Sequence, residues 1–227
     1  KQLKKTKKGG HLLVYNGCLP SLNLKILNDR RFKCHEYYSD VYSFLKSQDE
    51  IKKIVLFYRW PFYFSGKRFN NLEGGIEIGS NHLVNPIDEN KQITELQKYD
   101  LIKNNITEYL DLLTFLNKEI IIIFSTPEMG WEIPTFLAKK YLKENNIDKY
   151  YLSTSKKIFM ERNENVFKFF KSIEKKYNLK IIYPHELFCD DQRCLAHMDG
   201  YPIFYDDDHL SSLGSEMLSK KVIQSLK

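Results

Sequence analysis

The segment Tyr205-Asp206-Asp207-Asp208-His209-Leu210-Ser211 puts a carboxylate three residues ahead of an imidazole, on a turn that enters a helical pattern. In that spacing Asp206 can accept from the Nδ1–H of His209 and leave Nε2 facing a cleft as a general base, the arrangement that readies a serine hydroxyl for attack. Two other readings of the same residues stay open. The three aspartates can form a solvated turn that caps the helix while His209 fills a polar pocket, or they can join His209 in a divalent-cation site. A second group with chemistry is the four cysteines, which fall into two local pairs, Cys18 with Cys34 and Cys189 with Cys194. Two short-range disulfides fit an oxidising compartment. A metal site is the weaker reading, because neither pair is C-x-x-C and no histidine sits at ligand spacing beside both.

These residues need a scaffold, and 227 residues with 42% hydrophobic content are enough for one domain with a substantial core. Glycine and proline are sparse, at 10 and 7 residues, and no repeat period is present, which excludes disordered and solenoid architectures. The longest apolar run lies between Glu119 and Ser125, far short of the ~20 residues that cross a bilayer. No signal peptide opens the sequence. The formal net charge of +6 comes from scattered lysines and from Lys4, Lys5, Lys7 and Lys8. With no zinc-finger, RNP or phosphate-loop pattern beside it, this charge reads as solvated surface, and nucleic acid is not an expected partner.

Short apolar runs alternate with long amphipathic ones. His11–Tyr15, Lys53–Tyr58, Glu119–Ser125 and Leu179–Tyr183 read as buried parallel strands, because their apolar character is continuous. Helices are expected at Tyr37–Gln48, Ile93–Asn117, Glu161–Tyr177 and Ser211–Leu226. The last is capped by Ser211 or Ser212 and carries an apolar stripe of Leu213, Met217, Leu218, Val222 and Leu226, so it should pin the Asp206–His209 turn against a sheet. The alternation is that of a three-layer α/β/α sandwich. Trp60–Asn90, with Gly66, Gly74, Gly75, Gly79 and Pro86, reads as an extended loop leaving a strand's carboxyl end, where open α/β sheets bind ligands.

From Cys189 to Gly214 the sequence closely resembles the tail of the SGNH domain attached to bacterial membrane acyltransferases, the type that O-acetylates lipopolysaccharide O-antigen and other envelope glycans. Asn16-Gly17-Cys18-Leu19-Pro20 resembles that family's Gly-Cys-Pro-Pro segment, Lys53–Trp60 its third-strand segment ending in Arg-Trp, and Ser125–Gly130 with Pro134 its Pro-Glu segment. The resemblance covers nearly the whole sequence. It implies a flavodoxin-like parallel sheet and a covalent acyl transfer in which a serine attacks an acyl donor, His209 shuttles the proton, and Asp206 holds the imidazole. Backbone N–H groups, that of Gly17 among them, would stabilise the oxyanion.

Arg59 and Trp60 stand where related hydrolases carry an asparagine, and they are candidates for oxyanion or substrate binding. The alternative is that Arg59 pairs with a carboxylate such as Glu73 or Asp206 while Trp60 packs. The implied partners are a membrane acyltransferase domain that supplies the acyl donor and an envelope polysaccharide acceptor. The implied location is the periplasmic face of the inner membrane, and neither a metal nor an organic cofactor is called for.

The family's first block, a strand followed by Gly-Asp-Ser-His, has no counterpart here. Lys1–Lys8 resembles the later part of the helix that follows that block, so the nucleophilic serine and the first strand of the sheet are expected upstream of Lys1. Gly79-Ser80-Asn81-His82 resembles the block superficially but lies in the glycine-rich loop, where a polar turn is the preferred reading. Two rivals to acyl transfer remain: a carbohydrate esterase with the same residues, and a catalytically silent glycan-binding domain whose aromatic run Trp60–Phe64 either stacks on sugars or plugs the core.

Overall fold

The computed structural model describes residues 9–26, 33–81, 84–87, 93–144 and 146–226. At its centre is a parallel three-stranded sheet in the order β2-β4-β6, where β2 is Lys53–Phe57, β4 is Glu119–Ile123 and β6 is Lys180–Ile182. Lys53 stands opposite Glu119 and Phe57 opposite Ile123, while Ile121 pairs with Lys180. All four isoleucines of β4 are buried, as a strand covered on both faces requires.

One face of this sheet, through Ile54, Leu56, Ile120 and Ile122, packs on α1 (Cys34–Ser47), α3 (Glu95–Thr114) and α5 (Lys156–Ile173), with Ile102, Ile106, Leu110, Phe169 and Phe170 in the same core. The other face, through Ile121, Ile123 and Ile182, packs on α4 (Ile133–Tyr141) and α7 (Ser212–Ser225) by way of Ile133, Leu137 and Leu218. Helices on both faces give the expected three-layer α/β/α sandwich with its flavodoxin-like parallel sheet. The expected helices are all present, with ends shifted by a few residues and α5 starting earlier than its periodicity suggests. Thr94 opens α3 with a reciprocal capping box to Gln97.

Short two-stranded pieces decorate this core: β1 (Leu24–Ile26) with β3 (Val84–Pro86), β5 (Thr154–Ser155) with β7 (Arg193–Cys194), and β8 (His197–Met198) with β9 (Tyr201–Pro202). Both disulfides, Cys18–Cys34 and Cys189–Cys194, are formed.

Two expectations are corrected. His11–Tyr15 forms no strand, and Leu12, Leu13 and Val14 are exposed. An apolar run becomes a strand only when a neighbour supplies the ladder, and among the described residues none pairs with it. The glycine-rich stretch is also more ordered than a loop: it opens with α2 (Trp60–Ser65) and includes β3. All five residues from Trp60 to Phe64 are buried, so the aromatic run is a core plug and offers no platform for sugars. The Lys1–Lys8 expectation lies outside the described residues.

Candidate functional site

The turn that carries the acid–base pair is built between two fixed points. β8 and β9 deliver the chain to Phe204, which is fully buried, and α7 begins at Ser212. Ser211 caps α7 by accepting from the N–H of Gly214 and ties back by donating to the Pro202 carbonyl. Gly214 is required at its position because a Cβ there would lie 2.4 Å from the Ile203 carbonyl oxygen. Within the turn, Asp206 Oδ1 accepts from the N–H groups of Asp208 and His209, which leaves Oδ2 to meet His209 Nδ1 at 2.9 Å. Sequence spacing thus becomes an acid–base pair through a carboxylate that also holds its own backbone.

The imidazole is 76% exposed. A second carboxylate oxygen, Asp208 Oδ1, also lies 2.9 Å from Nδ1. His209 is raised, to about 9, first by Asp208 and then by Asp206, with burial opposing both. Burial pushes the Asp206 carboxyl up, but the two backbone donors and the imidazolium outweigh it and leave Asp206 below its ordinary value. Asp207 is displaced the other way, to about 7, by burial and by the neighbouring carboxylates of Asp208, Glu77 and Asp206.

Behind the turn lies a buried charge cluster. Arg59, at the end of β2, directs Nε and Nη2 at Glu128 and both Nη nitrogens at Glu77, and its Nη1 also meets Asp208 Oδ2 at 2.8 Å. Its partners are therefore neither Glu73, which forms a bidentate pair with Arg193, nor Asp206. Arg162 of α5 closes the far side on Glu128 Oε2 at 3.0 Å, and Arg68 pairs with Glu77. Glu128 follows β4, and the next residue, Met129, donates its N–H to the Asp207 carbonyl at 2.7 Å, which ties the loop after β4 to the Asp206–His209 turn. Gly130 lets the same loop pass close to the glycine-rich segment: a Cβ there, where φ is +72°, would lie 2.7 Å from the Gly75 carbonyl oxygen.

The remaining sequence candidates separate. Trp60 is fully buried, donates to the Ile123 carbonyl at 2.9 Å and packs edge-on against Tyr58 and Phe170, so it is a core ring out of a ligand's reach. Gly17 occupies a left-handed turn (φ 79°) just before the buried Cys18. Ser80 sits in the loop, with its carbonyl accepting from Arg68. Asp206, Asp208 and His209 also group closely enough for a cation, yet Asp208 is already paired with Arg59, which disfavours that use. Sequence reasoning missed Glu77, Glu128 and Arg162. Only Glu128 carried a signal, as part of the Pro-Glu segment. Among the described residues no serine hydroxyl is hydrogen-bonded to His209.

Burial opposes the Glu77 carboxylate, but Arg59, the Phe69 N–H and Arg68 hold it down to about 2. A lowered folded value means the unfolded chain binds the extra proton between the two values. Glu77 therefore contributes stability above about pH 4.5 that is lost as the pH falls towards about 2. Denaturant unfolding measured from pH 6 to pH 2 is expected to fall more steeply for the wild type than for Glu77→Gln, and parallel curves would refute this assignment.

A family model described as "SGNH domain (fused to AT3 domains)" matches residues 1–224. Among solved structures, the fold is similar to the periplasmic domain of a Salmonella ser. Paratyphi A lipopolysaccharide acetyltransferase, with a TM-score of 0.57 at 13% identity over 87% of this chain. The chain spans 65% of the length of that solved chain. No curated protein matches the sequence.

Proposed function

Because the chain belongs to the family of SGNH domains that are fused to AT3 domains, we propose that it works in O-acyl transfer, with acetyl as the acyl group, to a hydroxyl of a bacterial envelope polysaccharide. The observation that carries this reading is the Asp206–His209 pair, held at 2.9 Å on a turn fixed at both ends, with the imidazole open to solvent. In this reading a serine hydroxyl attacks the donor's acyl carbonyl and His209 Nε2 takes its proton. The tetrahedral intermediate collapses to an acyl-serine as His209 returns the proton to the leaving group. An acceptor hydroxyl then attacks, gives its proton to His209, and leaves as the ester while serine is restored. The AT3 membrane domain delivers the acyl donor, and the site works on the periplasmic side, where the two disulfides would persist. The serine is supplied from outside the described residues.

A second reading, a silent glycan-binding domain, draws on the lack of a serine at His209, although the burial of Trp60–Phe64 takes away the aromatic surface it would use. An esterase differs from the transferase only in whether water or a sugar hydroxyl resolves the acyl-serine.

The test measures acetyl-ester hydrolysis and transfer by this chain and by a protein that also carries the residues its gene encodes upstream, each with a His209→Ala control. Turnover only by the longer protein, lost with His209, supports the proposal, with a loss of about 10²-fold or more for a general base. Activity of the 227-residue chain itself would place the nucleophile inside it, with Ser80 the first to be substituted, and inactivity of both on every donor would select the binding domain. Because His209 must be neutral to accept the serine proton, kcat/KM is expected to rise with pH until it levels near 9. A plateau beginning at pH 7 would contradict the two-carboxylate environment.

A further inference from the structure

We propose that Asp208, clamped by Arg59, is a second positioning carboxylate for His209, and that Arg59 acts behind the base. The inference rests on His209 being the acid–base group of the proposed reaction. Asp206 meets the Nδ1–H along a hydrogen-bond direction, and its other oxygen is spent on two backbone N–H groups of the turn. Asp208 has no such local duty. Its Oδ1 lies 2.9 Å from Nδ1 and its Oδ2 lies 2.8 Å from Arg59 Nη1, so it bridges the imidazole to the guanidinium. It is also the better shielded of the two, 8% exposed against 26% for Asp206, and its charge reaches the ring with less competition from water.

Arg59 makes five contacts with carboxylate oxygens, one through Nε and two through each terminal nitrogen, which matches its five N–H donors. These contacts turn the guanidinium towards carboxylates of the protein itself. The guanidinium fixes the orientation of Asp208, and Glu128 fixes the guanidinium through a further pair with Arg162. A line of alternating charges therefore runs from the exposed ring past the end of β2 to α5: His209, Asp208, Arg59, Glu128, Arg162. With two carboxylate oxygens 2.9 Å from Nδ1, the imidazolium formed when serine gives up its proton meets charges already in place.

The groups that bear on the ring's charge are Asp206, Asp207 and Asp208 on its own turn, Arg59 at the end of β2, Glu77 from the glycine-rich segment and Glu128 after β4. The first arm of the test follows His209 by NMR titration of this chain and needs no turnover, so it can fail independently of the acyl-transfer reading. Asp208→Asn is expected to lower the His209 midpoint by about one unit or more, as Asp206→Asn also should. A midpoint that moves in Asp206→Asn and stays in place in Asp208→Asn would overturn the proposal.

If Asp208→Asn does not fold, the wild-type protein still decides. The ¹³Cγ resonances of both aspartates should follow the His209 inflection, and an inflection confined to Asp206 counts against the bridge. In the second arm, with a turning-over protein, Arg59→Lys is expected to reduce kcat with KM unchanged. A raised KM with kcat intact would place Arg59 on the substrate instead.

Discussion

Glu128→Gln is expected to lower the free energy of unfolding by about 3–5 kcal/mol, the cost of removing one partner from a buried ion pair. Glu128 is 2% exposed and lies between two guanidiniums, Arg59 and Arg162, which are themselves 18% and 12% exposed. Arg59 would keep Glu77 and Asp208. Among the described residues Arg162 would lose its one carboxylate partner and keep the Ser65 hydroxyl, the Lys67 carbonyl and the Phe69 ring. Because an isolated buried charge dominates the loss, Glu128→Gln combined with Arg162→Gln should recover part of it, and a double-mutant cycle in urea measures how much. A single-variant loss below about 1 kcal/mol would show that water reaches the cluster and that the pairs behave as surface pairs do.

Trp60→Ala should cost a similar amount, about 3–5 kcal/mol, for a different reason. The indole fills space between Tyr58 and Phe170 with ring centroids 4.9 and 4.8 Å away, and its N–H satisfies the Ile123 carbonyl at the end of the central strand. Truncation leaves a cavity and a buried acceptor without a donor. Trp60→Phe should fill most of the space and lose mainly the hydrogen bond, about 1–3 kcal/mol. Equal urea midpoints for Trp60→Ala and the wild type would remove Trp60 from the core.

The parts of this fold that were legible in the sequence are those whose signal is local. Continuous apolar runs announced β2, β4 and β6, although only β4 is buried on both faces and Val55 and Phe57 of β2 are exposed, and Ser211 announced α7 because a cap is read one turn from its helix. The Asp206–His209 pair was legible for the same reason, since both members share one turn. His11–Tyr15 misled because apolar continuity reports a preference for burial and says nothing of whether a neighbouring strand is there to satisfy it. The aromatic run Trp60–Phe64 was ambiguous until its surroundings were known, because a ring that stacks on sugar and a ring that plugs a core have the same composition. The cluster around Arg59 was illegible, since its acids come from the glycine-rich segment, from the loop after β4 and from the Asp206–His209 turn. No periodicity relates those three.

That dispersal bears on the order in which the molecule assembles. The contacts of Arg59 and Arg162 with Glu128 close loops of 69 and 34 residues, and the Thr126 contact with the Asp208 carbonyl closes one of 82. Each carries a loop-closure entropy that helix and hairpin contacts avoid, so such links form after the local ones and slow the final step. The acid–base turn can therefore adopt its backbone shape early and bring His209 beside Asp206 and Asp208, the two groups that raise it, while the tie from Asp208 to Arg59 waits for a distant strand end.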